Sequence, residues 1–153
     1  MDVKEIRNRL KAELGLNSRQ VSVRSSRGSA IHVTIKVPVA KSPIEAIAKG
    51  AECVRRCEFS GDILSGGNTF VFVEYEEGVL DGFFDENAIK ALKEDPGKVL
   101  EMPGGFHIYY SDCGNHYCVS HKDDSFVPER AWSPQGAGRC YAQLFLNAQA
   151  KAA

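Results

Sequence analysis

Apolar residues open the chain at helical spacing: Val3, Ile6, Leu10 and Leu14 recur every three or four residues among Lys, Arg and Glu. That pattern predicts a helix with one apolar stripe, and Gly15 stands where a left-handed residue would end it. The period then changes to two. Val21 and Val23, followed by Ile31, Val33, Ile35 and Val37, alternate with polar residues in the manner of half-buried strands. All six are odd-numbered, so directly paired positions must sum to an even number if both strands turn the same side inward. The parity predicts a hairpin loop of three or five residues around Arg27 and Gly28, with Gly28 as its left-handed residue. The opposite face then carries Ser22, Arg24, His32, Thr34 and Lys36.

Ser42, Pro43 and Glu45 read as a helix start, with Ile44, Ile47, Ala48, Ala51 and Val54 forming a buried face as far as about Glu58. Cys53 and Cys57 would share one side of that helix. In T-F-V-F-V-E-Y, Val71, Val73 and Tyr75 take one strand face while Phe70 and Phe72 take the other. A strand apolar on both sides is expected at the centre of a sheet, or covered on both faces. Asp85 to about Lys93 reads as a short helix ended by E-D-P-G. Phe106–Ser111 and His116–Lys122 read as a second hairpin around D-C-G-N, 123–138 as a long polar loop, and Arg139–Ala150 as a terminal helix. The order α-β-β-α-β-α-β-β-α predicts an α+β fold, a mainly antiparallel sheet with helices packed on it. With 153 residues, 43% of them hydrophobic, a single domain spanning 1–153 around one core is expected.

Charge changes this picture locally. Residues 1–36 hold eight Lys/Arg against three Asp/Glu, whereas residues 74–101 hold three against nine, so a net charge of -1 conceals two oppositely charged segments. No apolar run approaches the ~18 residues of a membrane span, and the charged start M-D-V-K-E-I-R-N-R-L-K is unlike a signal peptide. A cytoplasmic location is expected, with the five cysteines reduced.

Candidate chemistry is sparse. Cys113, His116, Cys118 and His121 offer zinc-type donors within nine residues, but all come from one hairpin arm, with His121 pointing away from His116 and Cys118. The alternative is buried thiols and surface histidines. Cys113 with His107 or His121 has the residue types of a cysteine nucleophile without a local signature for one. The glycine pairs of S-G-G-N and P-G-G-F complete neither a phosphate loop nor a dinucleotide fingerprint. Glu74, Glu76, Glu77 and Asp81 are candidate partner-binding carboxylates, and Trp132 is a candidate interface anchor. Arg24, Arg27, His32 and Lys36 could contact phosphates, although the hairpin face has no interleaved aromatic platform, which argues against an RNA-recognition type of sheet.

The wording S-V-R-S-S-R-G-S-A-I-H-V-T-I, behind a short helix and ahead of a second, resembles a large polyvalent protein-associated domain, the twenty-ninth of that series, over about residues 2–60. After the second strand this chain reads V-P-V-A-K-S-P, which departs from the family's wording. The resemblance implies a protein of a phage or mobile element and brings no catalytic residues. The expectation is therefore a non-enzymatic binding protein without cofactor or metal that contacts a host protein or complex, as an anti-CRISPR or anti-restriction inhibitor does. Two alternatives stand beside it: a nucleic-acid-binding accessory protein using the basic hairpin face, and a zinc- or thiol-dependent enzyme around Cys113–His121.

Overall fold

The computed structural model describes all residues except Gly28, Ser65, Asp124, Ser125 and Ala153. The chain has the expected α+β composition, divided into two compact units, Met1–Val79 and Leu80–Ala153. Where one core is expected from chain length, the buried residues form two clusters, one in each unit. Among the described residues no helix is long and apolar enough to cross a membrane.

The first unit begins with α1 (Val3–Leu14), capped by Asp2, whose carboxylate accepts from the Glu5 N–H, and ended by Gly15 at φ 68°. Strands β1 (Val21–Ser26) and β2 (Ala30–Ile35) pair antiparallel, with Ser26 opposite Ala30. The loop therefore has the odd length the parity requires; the left-handed role expected of Gly28 lies outside the described residues. Helix α2 (Lys41–Ala48) leads, through a 3-10 turn at Lys49–Ala51, to an irregular arm, and β3 (Phe70–Tyr75) returns parallel to β2. The sheet order is β1-β2-β3. Ile6, Leu10, Ile44, Ile47 and Ala48 cover the odd-numbered strand residues.

Two expectations for this unit are corrected. The second helix starts at Lys41 without a side-chain cap and stops at Ala48, because the chain leaves the helix where Cys53 pairs with Thr69, each backbone N–H donating to the other's carbonyl. Cys53 and Cys57 consequently lie on the arm and share no helix face. Strand β3 is an edge strand instead of a central one, and its edge is closed locally. Lys49 Nζ donates to the Val71 carbonyl at 2.8 Å, while Glu52 accepts from the Val71 N–H at 3.1 Å and pairs with Lys49 at 2.8 Å. Lys49 and the Val71 N–H hold the Glu52 carboxyl below its ordinary pKa. An edge occupied in this way is a poor template for a further strand.

In the second unit, α3 (Glu86–Ala91) is capped by Asp85. Strands β4 (Val99–Met102), β5 (Phe106–Ser111), β6 (His116–His121) and β7 (Glu129–Ala131) form an antiparallel sheet in that order. Helix α4 (Pro134–Ala152) completes it. Strand β7 and the first turn of α4 occupy much of the segment expected to be a long polar loop. Ser133 and Pro134 supply the start: the Ser133 Oγ accepts from the Gly136 N–H at 3.0 Å, and proline suits the first helical position. Gly138 is required inside α4, since a Cβ there would lie 2.2 Å from the Phe84 ring. Phe106, Ile108, Tyr117, Val119 and Tyr141 fill the core, and the Tyr141 hydroxyl donates to the Pro103 carbonyl.

Candidate nucleic-acid interface

Because both helices of the first unit cover the odd-numbered strand positions, the even-numbered positions of all three strands form an outer face. Register fixes its rows. Arg24, His32 and Phe72 stand side by side across β1, β2 and β3; Ser26, Ala30 and Phe70 form the next row; Ser22, Thr34 and Glu74 lie on the other side. The His32 and Phe72 rings stack at 5.3 Å with an interplanar angle of 21°, yet Phe72 remains 46% exposed. Arg24 and His32 are exposed as well. The face thus presents two stacked rings beside a guanidinium.

This overturns the expectation that the basic face lacks aromatics. Phe70 and Phe72 come from a strand 40 residues further along than β2, and only the parallel pairing sets them beside His32. Their sequence signal was their shared side of β3, opposite Val71 and Val73.

The remaining predicted residues are scattered more widely. Arg27 is exposed in the hairpin loop, and Lys36 follows β2 with its N–H donating to the Gln20 carbonyl at 2.8 Å. Glu74 lies on the outer face, opposite Thr34; Glu76 and Glu77 are exposed just past β3. Asp81 belongs to the second unit, where it accepts from Arg139 Nε at 3.3 Å. Trp132 is also there, 74% exposed with its ring edge-on to His116 at 5.5 Å.

The cysteine and histidine cluster does not converge. Cys113 is exposed in the turn, while His116 and Cys118 face outward from β6 and are buried. His121 points inward, edge-on to Phe106 at 4.6 Å, with its Nε2 donating to the Gly104 carbonyl. Among the described residues no group of three or more His, Cys, Asp or Glu is placed to hold a metal ion. His116 Nδ1 is buried with no hydrogen-bond partner among the described residues, its ring lying so close over Gly114 that a Cβ there would be 2.0 Å away.

The outer face of the second sheet carries different chemistry. Ser120 Oγ and His107 Nε2 share a 2.6 Å hydrogen bond, and His107 stacks on Tyr109 at 6.3 Å. Tyr109 is hydrogen-bonded to Cys118, which together with burial raises the tyrosine pKa. Glu101 lies opposite His107 in register, but among the described residues no ion pair joins the two side chains into a Ser-His-Glu relay. On the arm of the first unit, the Ser60 side chain and then the Ser60 and Phe59 N–H groups lower the Cys57 thiol to about 7.

No protein-family model, no curated protein and no solved structure matches this chain.

Proposed function

We propose that the first unit binds single-stranded nucleic acid on the outer face of its sheet. The observation that carries this reading is the Arg24–His32–Phe72 row, an exposed cation beside an exposed stack of rings. Single strands are held by such a pairing: bases extend an aromatic stack whatever their sequence, and Arg or Lys neutralises the backbone. Arg27 lies exposed in the hairpin loop at one end of this face, and Lys36 follows the Ser22–Thr34–Glu74 row at the other. Helices cover the opposite face and the Lys49–Glu52 pair closes the β3 edge, which supports the outer face as the docking surface.

The test is affinity for labelled single-stranded DNA and RNA as a function of salt. Arg24→Gln should reduce the log-log slope by about 0.7, the value for one phosphate contact on a single strand. Phe72→Ala should weaken binding at every salt concentration without changing the slope. Retention unaffected by both substitutions contradicts the proposal.

A second reading draws on a different observation. Glu74, Glu76 and Glu77 are exposed together at the end of β3, an acidic surface able to occupy a basic groove of a host protein, as an inhibitor from a mobile element would. Affinity capture from a host lysate with and without nuclease separates the two. Under the nucleic-acid reading, captured proteins disappear on nuclease treatment; under the inhibitor reading they persist and are lost on charge reversal at the three glutamates.

A further inference from the structure

Between the 3-10 turn at Lys49–Ala51 and β3, the chain of the first unit runs out and back as a two-stranded arm. Arg56 pairs with Ile63, the Cys57 N–H donates to the Asp62 carbonyl at 2.8 Å, and the Leu64 N–H donates to the Arg55 carbonyl at 2.8 Å. The tip, residues 58–61, turns at Gly61, whose φ is 74°. Among the described residues, none from 53 to 64 belongs to the buried core of the unit. Phe59, at the tip, is 99% exposed, and Ile63 and Leu64 are 49% and 39% exposed. A two-stranded ribbon with no covered face is marginal in water, and large apolar side chains along one gain from being covered.

The charges of the arm indicate what covers it. An open cavity of about 510 Å³ lies along the arm, lined by Phe59 and Leu64 together with Arg55 and Glu58. Neither Arg55 nor Glu58 has an ion pair among the described residues. Arg56 Nη1 donates to the Gly61 carbonyl at 3.2 Å, which ties that guanidinium to its own tip. Residues 53–64 set Arg55 and Arg56 against Glu58 and Asp62, so the arm is neutral and does not suit a polyanion. It suits itself. A protruding ring, a cavity with an apolar wall, an unpaired cation and an unpaired anion all lie on one arm, as a two-fold contact requires when a patch meets its own copy. We propose that the arm joins two copies of this chain, the Phe59 ring of each entering the cavity of the other and Arg55 of each pairing with Glu58 of the partner subunit. The contact does not depend on the single-strand reading. Being confined to two arms, it is small, and the dimer should dissociate on dilution.

Sedimentation velocity of the full chain under reducing conditions, over a concentration series, reads the dissociation constant. Wild type should pass from monomer to dimer as concentration rises. Phe59→Asp should raise the constant at least about thirtyfold, the loss expected for a central aromatic anchor, with folding checked by circular dichroism. Arg55→Glu and Glu58→Lys should each raise it about tenfold by setting like charges together. An equimolar mixture of these two should restore the dimer, because one wild-type pair and one inverted pair then form. The mixture leaves Phe59 in place, so it decides the matter even where Phe59→Asp is unfolded. A wild type that stays monomeric at millimolar concentration overturns the proposal; if Phe59→Asp then weakens single-strand binding, the arm belongs to the nucleic-acid interface instead. A dimer unaffected by Phe59→Asp, unaffected by the charge variants or not restored on mixing overturns it as well.

Discussion

On the first sheet, the outward row of Arg24, His32 and Phe72 offers a guanidinium and two stacked rings to solvent, whereas on the second sheet the outward side chains close on one another. Ser120 is bonded to His107, Tyr109 to Cys118, and His116 packs beneath the edge of Trp132. Both faces are rich in rings and polar atoms, so composition alone does not distinguish them. Apart from His116 Nδ1, which is buried with no hydrogen-bond partner among the described residues, the difference lies in satisfaction. Polar groups that already have partners within the sheet gain little from a ligand, since each new hydrogen bond must replace one already made. A guanidinium in water beside a half-exposed ring stack gains both a phosphate and a base.

The comparison applies to outer faces only, and the largest expected effects show its boundary. Ile35→Ala and Ile108→Ala each empty a fully buried site, one under each sheet. Each should cost about 2–5 kcal/mol in urea unfolding, with the spread set by how far the site collapses. A loss below about 1 kcal/mol at either position would mean that the core on that side is not packed as described.

Next in size is stacking. Phe72→Ala should weaken single-strand binding by about 1–3 kcal/mol, the usual loss for one base–aromatic contact, while Trp132→Ala should leave affinity unchanged. The reverse result would transfer the interface to the second sheet. Smaller still is the charge effect: Arg24→Gln should lower the salt slope by about 0.7, and His107→Gln should not alter it.

The smallest perturbation is chemical. Alkylation at neutral pH should modify Cys57 well before Cys140, because the turn around Ser60 lowers the first thiol to about 7 and burial raises the second to about 11. The sign follows from the thiolate being the nucleophile. The Cys57 rate should climb through neutral pH and level off above it, while Cys140 stays slow until strongly alkaline pH. Mass spectrometry of the alkylated peptides reads both, and equal rates at pH 7 would contradict the local structure at Ser60.

The hairpin of the first unit was legible because everything that determines it is local. Six odd-numbered apolar residues set the register, and Gly15 marks the end of the helix ahead of it. The placement of β3 was not, since its apolar alternation is the same whether the strand is central or at an edge. What decides is which backbone groups find partners, and those of Val71 are met by Lys49 and Glu52. The end of α2 was misjudged for a related reason: Val54 and Cys57 continue the helical spacing, but the Cys53–Thr69 pairing takes the backbone first. Strand β7, three residues long, carries too little periodicity to be seen. Of the site, Arg24, His32 and Lys36 could be placed on one face from parity alone. Phe72 could be put on a face of its own strand, but its neighbours depended on a pairing between segments far apart in sequence.

The most direct test of the central claim is amide chemical-shift mapping of the full chain during titration with a short single-stranded oligonucleotide. Binding on the first sheet predicts that the amides around Arg24, His32 and Phe72 move together and saturate, while those around His107, Cys118 and Ser120 stay in place. Shifts confined to the second sheet, or none at concentrations that saturate other single-strand binders, would contradict it.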